Sequence, residues 1–179
     1  MVPLKKLRIN TKRKTPSKKK APPKINLCQF RVVGIGASAG GLKALKELLT
    51  HLPGNTGMAF VVIQHLDPTQ ESLSVTLLSK VTRMPVSQAA HGMVARANEV
   101  FVIPPNYILS IKDGVFQLAM RDQAPVPFAV DFFFRSLAED YKNLAIGVIL
   151  SGSGSDGALG LELVKAEGEQ GTLGFHGDG

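Results

Sequence analysis

Short runs of uninterrupted apolar residues alternate along the chain with stretches whose apolar positions recur every three or four residues. Phe30, Val32, Val33 and Ile35 make the first β-prone run, and small residues close it before Leu42. From there Leu45, Leu48, Leu49 and Leu52 keep helical spacing, and Pro53-Gly54 stops that helix. Met58 to Ile63 is continuously apolar and reads as a second buried strand. A second helix carries Leu73, Leu77, Leu78 and Val81 on one face and ends before Pro85. Short strands follow at Val86 and at Val100 to Ile103, the latter closed by Pro104-Pro105. Tyr107 to Met120 reads as a hairpin, because Asp113-Gly114 between two apolar halves is a strong two-residue turn signal. Val130 to Tyr141 is helical, with Phe133, Phe134 and Leu137 available for packing. Leu144 to Leu150 is a further buried strand, followed by a Gly/Ser-rich turn and a helix through Leu159, Leu163 and Val164. Thr172 to Phe175 reads as a last strand. The alternation predicts an α/β fold: a doubly wound, mostly parallel sheet with helices on both faces and an inserted antiparallel β-hairpin.

Length and charge refine this picture. The 179 residues suffice for one domain with a real core and some tail. Between Met1 and Lys24 there are ten Lys/Arg and no acid, which leaves eleven basic residues against fourteen acidic ones, a net of −3. The overall charge of +7 therefore belongs to the tail, and the domain is mildly acidic. Residues 1–25 are expected to form a disordered basic tail, and 26–179 the folded domain. The tail lacks aromatic residues for base stacking, so no nucleic-acid partner is expected. It also lacks the apolar region of a secretory signal. No apolar run approaches the ~20 residues of a membrane helix, so no membrane insertion is expected. A single Cys28 precludes an internal disulfide and fits a reducing, cytoplasmic compartment.

Three chemically useful residues follow three predicted buried strands, where open parallel sheets bind ligands. Gly36, Ser38 and Gly40 fit the G-x-S-x-G nucleophile elbow, in which glycines permit a strained turn that exposes a serine hydroxyl. His65 follows the second strand and Asp156 the one ending at Leu150. Together they are the inventory of a nucleophile, an imidazole base and a carboxylate that orients it. Each has a plainer reading. Ser38 can cap the helix starting near Gly40, His65 can be an ordinary loop residue, and Asp156 can cap the helix beginning near Ala158. His51, His91 and His176 lack the strand-end context and read as structural.

At these residues the sequence resembles the catalytic domain of CheB-type protein-glutamate methylesterases. The matching segments are VVGIGASAGG at 32–41, VVIQHLDP at 61–68, VFVIPPN at 100–106 and ILSGSGSDG at 149–157. The likeness runs from about Arg31 to Gly168, and is nearest to the CheB-like domains fused to CheR-type methyltransferases. The resemblance implies Ser38 as nucleophile, His65 as general base and Asp156 as its orienting acid, with no metal or organic cofactor. It implies hydrolysis of glutamyl methyl esters on the cytoplasmic helices of a chemoreceptor, giving glutamate and methanol, and deamidation of glutamines as a related activity. The implied partners are a methyl-accepting chemoreceptor and a CheR-type methyltransferase.

Departures from the family pattern are equally visible. Ala39 stands where many members have threonine, and these 179 residues contain neither the family's receiver domain nor the Gly-Met-Pro segment found beyond its last matched helix. The domain is accordingly expected to be C-terminally incomplete. Two other readings stay open: a CheB-like scaffold that binds without turnover, and a dinucleotide site built on Gly34, Gly36 and Ala39. The second would want an acid at the end of the next strand, where this chain has Gln64-His65.

Overall fold

The first strand, β1 (Val32–Ala37), is buried along its whole length, and its side chains divide between two cores. In chain order there follow α1 (Leu42–His51), β2 (Ala59–Gln64), α2 (Glu71–Ser79), β3 (Val86–Gln88) and β4 (Val100–Val102). Then come β5 (Tyr107–Lys112), β6 (Val115–Met120), α3 (Ala129–Tyr141), β7 (Ala145–Leu150), α4 (Ala158–Glu167) and β8 (Thr172–Phe175). This computed structural model describes residues 30–37, 39–64, 71–122, 128–150, 156–168 and 172–175. The basic tail lies outside the described residues.

Six strands pair in parallel in the order β3-β4-β2-β1-β7-β8, and β5 and β6 form a separate antiparallel hairpin. Alternation along each strand sorts the apolar side chains to two faces. Val32, Val61, Ile63 and Phe101 meet Phe133, Phe134 and Leu137 of α3 and Leu109, Ile111 and Phe116 of the hairpin. Val33, Ile35, Phe60, Val62 and Val148 meet Leu45 and Leu49 of α1 and Leu78 of α2. Strands buried on both faces read as continuous apolar runs, which is why MAFVVI and LAIGVIL stand out in the sequence.

The hairpin turn needs two left-handed residues, and Asp113 (φ 51°) and Gly114 (φ 72°) supply them. Asp140 of α3 accepts both turn amides, from Asp113 N at 2.7 Å and Gly114 N at 2.9 Å. Ser136 Oγ accepts Ile111 N at 3.1 Å, so the C-terminal half of α3 carries the hairpin. His91 Nδ1 accepts Leu118 N at 3.2 Å, and His51 Nδ1 donates to the Glu47 carbonyl at 2.8 Å. Each histidine thus bonds a backbone group; His176 lies outside the described residues.

One helix turns a different face to the core than its leucines suggest. Leu159 and Leu163 of α4 are 64% and 39% exposed, while Gly160 and Val164 are buried. A Cβ on Gly160 would stand 3.0 Å from the Asp131 Cα, so α4 approaches α3 backbone to backbone along the glycine row. Among the described residues, no helix is long and apolar enough to cross a membrane.

Candidate active site

The C-terminal ends of β2, β1 and β7 lie side by side, with β1 in the middle. Ala37 pairs with Gln64 on one side and with Leu150 on the other, so the three strands end level. In the chain, Ser38 comes next after Ala37 and His65 next after Gln64. Both lie outside the described residues, as do residues 151–155. The onward path from β1 enters α1 on one face, whereas that from β7 enters α4 on the other. Adjacent parallel strands whose connections depart to opposite faces leave a crevice at their C-terminal ends, the usual ligand position in such sheets.

Neither Gly36 nor Gly40 of the G-x-S-x-G pattern has a positive φ. Gly36 is the fifth residue of β1, and a Cβ there would stand 2.5 Å from Val130 Cγ1. Its role is to admit the first turn of α3 against the strand, two residues before Ser38. Gly40 sits in a 3-10 turn, Ala39–Gly41, where a Cβ would meet nothing within 4 Å. The N-cap of α1 is Gly41, with no side-chain cap hydrogen bond; the 3-10 turn before it starts at Ala39, directly after Ser38 in the chain.

Asp156 is a cap, but not of the helix it precedes. Its Oδ2 accepts Val130 N at 3.2 Å and its Oδ1 accepts Asp131 N at 3.0 Å. These are amides of the first turn of α3, whose own N-cap, Phe128, has no side chain able to serve them. The start of α4 shows the reciprocal arrangement. Its N-cap is Gly157 at φ 102°, where a Cβ would crowd Val130 Cγ1 at 2.8 Å and Ile149 Cδ1 at 3.0 Å. With no side chain possible there, Asp131 Oδ1 accepts Gly160 N at 2.6 Å in its place. Two helices thus cap one another in trans, and the Asp156 carboxylate is held at the crevice between β1 and β7. A helix N-terminus is also a favourable place for negative charge. Sequence reasoning missed Asp131 altogether; its only signal is an acid in the first turn of a helix that lacks a cap of its own.

Comparison with known proteins agrees with this architecture. The CheB methylesterase family model matches residues 33–173. A protein-glutamate methylesterase/protein-glutamine glutaminase of Burkholderia orbicola is 38% identical over 142 residues, 78% of this chain and 42% of that protein. A Leptospira interrogans relative is 34% identical over 143 residues, and the match covers 73% of it. The chain thus spans less than half of the Burkholderia relative and about three quarters of the Leptospira one. The crystal structure of the Thermotoga maritima CheB methylesterase catalytic domain superposes with a TM-score of 0.70 at 31% identity, over 78% of this chain and 76% of that one. A match of this length, with the same fold, means that the chain belongs to the CheB methylesterase family.

Proposed function

We propose that this chain is a serine esterase that hydrolyses glutamyl methyl esters on chemoreceptor helices, with Ser38 as nucleophile, His65 as general base and Asp156 as the orienting acid. The observation that carries the reading is the level ending of β2, β1 and β7, with a clamped carboxylate at the crevice they form. Family membership supplies the substrate class: the Burkholderia relative is named for glutamate methyl-ester hydrolysis and for glutamine deamidation. With such a substrate the enzyme works in the cytoplasm.

The chemistry follows from the three groups. His65 removes the Ser38 hydroxyl proton as Oγ attacks the ester carbonyl carbon. Backbone amides beside Ser38, with those of residues 152–154, hold the oxyanion. The imidazolium then gives its proton to the departing methoxide, releasing methanol. A water molecule deprotonated by His65 attacks the acyl-serine and frees glutamate. On a glutamine substrate the same steps release ammonia instead. Each carboxylate oxygen has two lone pairs, so Asp156 can serve the α3 amides and an imidazole N–H together.

The test incubates the full chain with a methyl-esterified receptor-helix peptide and measures methanol. Ser38→Ala and His65→Gln are expected to abolish release above the uncatalysed rate. Equal release from the parent chain and Ser38→Ala would end the proposal.

A further inference from the structure

Asp131 takes part in both halves of the exchange between α3 and α4. Its amide donates to Asp156 Oδ1 at 3.0 Å, and its own Oδ1 accepts Gly160 N at 2.6 Å. Asp156 and Gly160 are four residues apart on one short piece of chain, so the two hydrogen bonds and that piece close a ring through Asp131. Among the described residues at the start of α4, Gly157 carries no side chain and Leu159 is 64% exposed, so neither anchors that turn by burying a side chain. The ring is tight, because a Cβ on Gly160 would stand 3.0 Å from the Asp131 Cα and 3.1 Å from its carbonyl oxygen.

We propose that Asp131 is a positioning residue for ester hydrolysis, acting through Asp156, an inference that rests on the triad reading above. By tethering the first turn of α4, Asp131 fixes where the chain leaves residue 156 and thereby where the Asp156 carboxylate stands. It need not touch the substrate. A merely structural Asp131 would cap α4 and contribute stability, and its loss would leave turnover unchanged in the folded protein. A positioning Asp131 governs turnover, since a displacement of about 1 Å in a catalytic group can cost roughly a hundredfold.

Variants of the full chain separate these cases, assayed by methanol release from the methyl-esterified peptide well below each melting temperature. Asp131→Ala is expected to lower kcat about ten- to a hundredfold, with KM changed less than about twofold. Asp131→Asn keeps the acceptor for Gly160 N without the charge and is expected to recover most of kcat. Asp131→Glu keeps the charge but displaces the acceptor by a methylene; it is expected to behave like Asp131→Ala, and it serves in place of that variant if alanine gives no folded protein. In an Asp156→Ala background, the same Asp131 change is expected to add less than about twofold, because residues acting as a unit are not additive. Parent-like kcat in folded Asp131→Ala or Asp131→Glu would overturn the positioning role and leave the triad standing. So would a full additional loss on top of Asp156→Ala. Parent-like kcat in both Ser38→Ala and Asp156→Ala would instead remove the triad itself, and the role of Asp131 with it.

Discussion

Replacing Gly160 by alanine sets two effects of opposite sign against each other. Alanine is the better helix former, by about 0.8–1.0 kcal/mol in a helix interior. Propensity alone therefore predicts a stabilised α4. The new Cβ, however, would stand 2.6 Å from Phe134 Cβ and within 3.1 Å of two backbone atoms of Asp131. Ordinary contact begins near 3.4 Å, so the two helices must separate by about 0.8 Å. Phe134 is fully buried and the Asp131 atoms belong to the main chain, so rotation of one side chain offers no relief. Overpacking of this kind costs roughly 1–3 kcal/mol, and rigid neighbours favour the upper end. The net expectation is a loss of about 2 kcal/mol after the propensity gain is subtracted. Urea unfolding followed by circular dichroism should show a lower midpoint at unchanged slope, and the melting temperature should fall by about 4–8 °C. A midpoint at or above that of the parent chain would refute the close approach of α3 and α4.

Three further predictions test other parts of the framework. Gly36→Ala places a Cβ 2.5 Å from Val130 Cγ1 and should destabilise by about 1–3 kcal/mol, with Val130→Ala in the same chain restoring much of the loss in a double-mutant cycle; additive effects would disprove the contact. Asp140→Ala removes the acceptor of both hairpin-turn amides and should cost about 1–2 kcal/mol in urea unfolding; a change below about 0.3 kcal/mol would mean that the clamp contributes nothing. Leu159→Ser, at a position 64% exposed, should stay within about 0.5 kcal/mol of the parent chain, and a larger loss would show that this leucine belongs to the core.

What could be read from the sequence was local. The central strands β1, β2 and β4 announce themselves as apolar runs because they are buried on both faces, and Asp113-Gly114 announces its turn because few dipeptides adopt two left-handed conformations. The parallel sheet and the inserted hairpin follow from those signals. What could not be read was tertiary. Asp156 attracts attention as chemistry, yet its amide partners are 25 and 26 residues earlier, on a helix with no signal pointing back to it. Periodicity finds α4 but cannot choose between its Leu159/Leu163 and Gly160/Val164 stripes, because the choice depends on how closely α3 approaches. Gly36 attracts attention by motif, yet nothing local shows that it also makes room for Val130 of α3. Asp131 has no motif at all, and only the fold brings it to Gly160.

The exchanged caps tie the order of assembly to the site. The helices they join are separated in the chain by β7, so neither gains its side-chain cap until that strand has docked and brought the other alongside. Fraying at one end must release the other as well, and the amides of Val130, Asp131 and Gly160 should exchange with solvent deuterium through a single shared opening. The segment carrying the acidic group is therefore no independent loop; it becomes rigid only when the whole helical layer over this part of the sheet has consolidated.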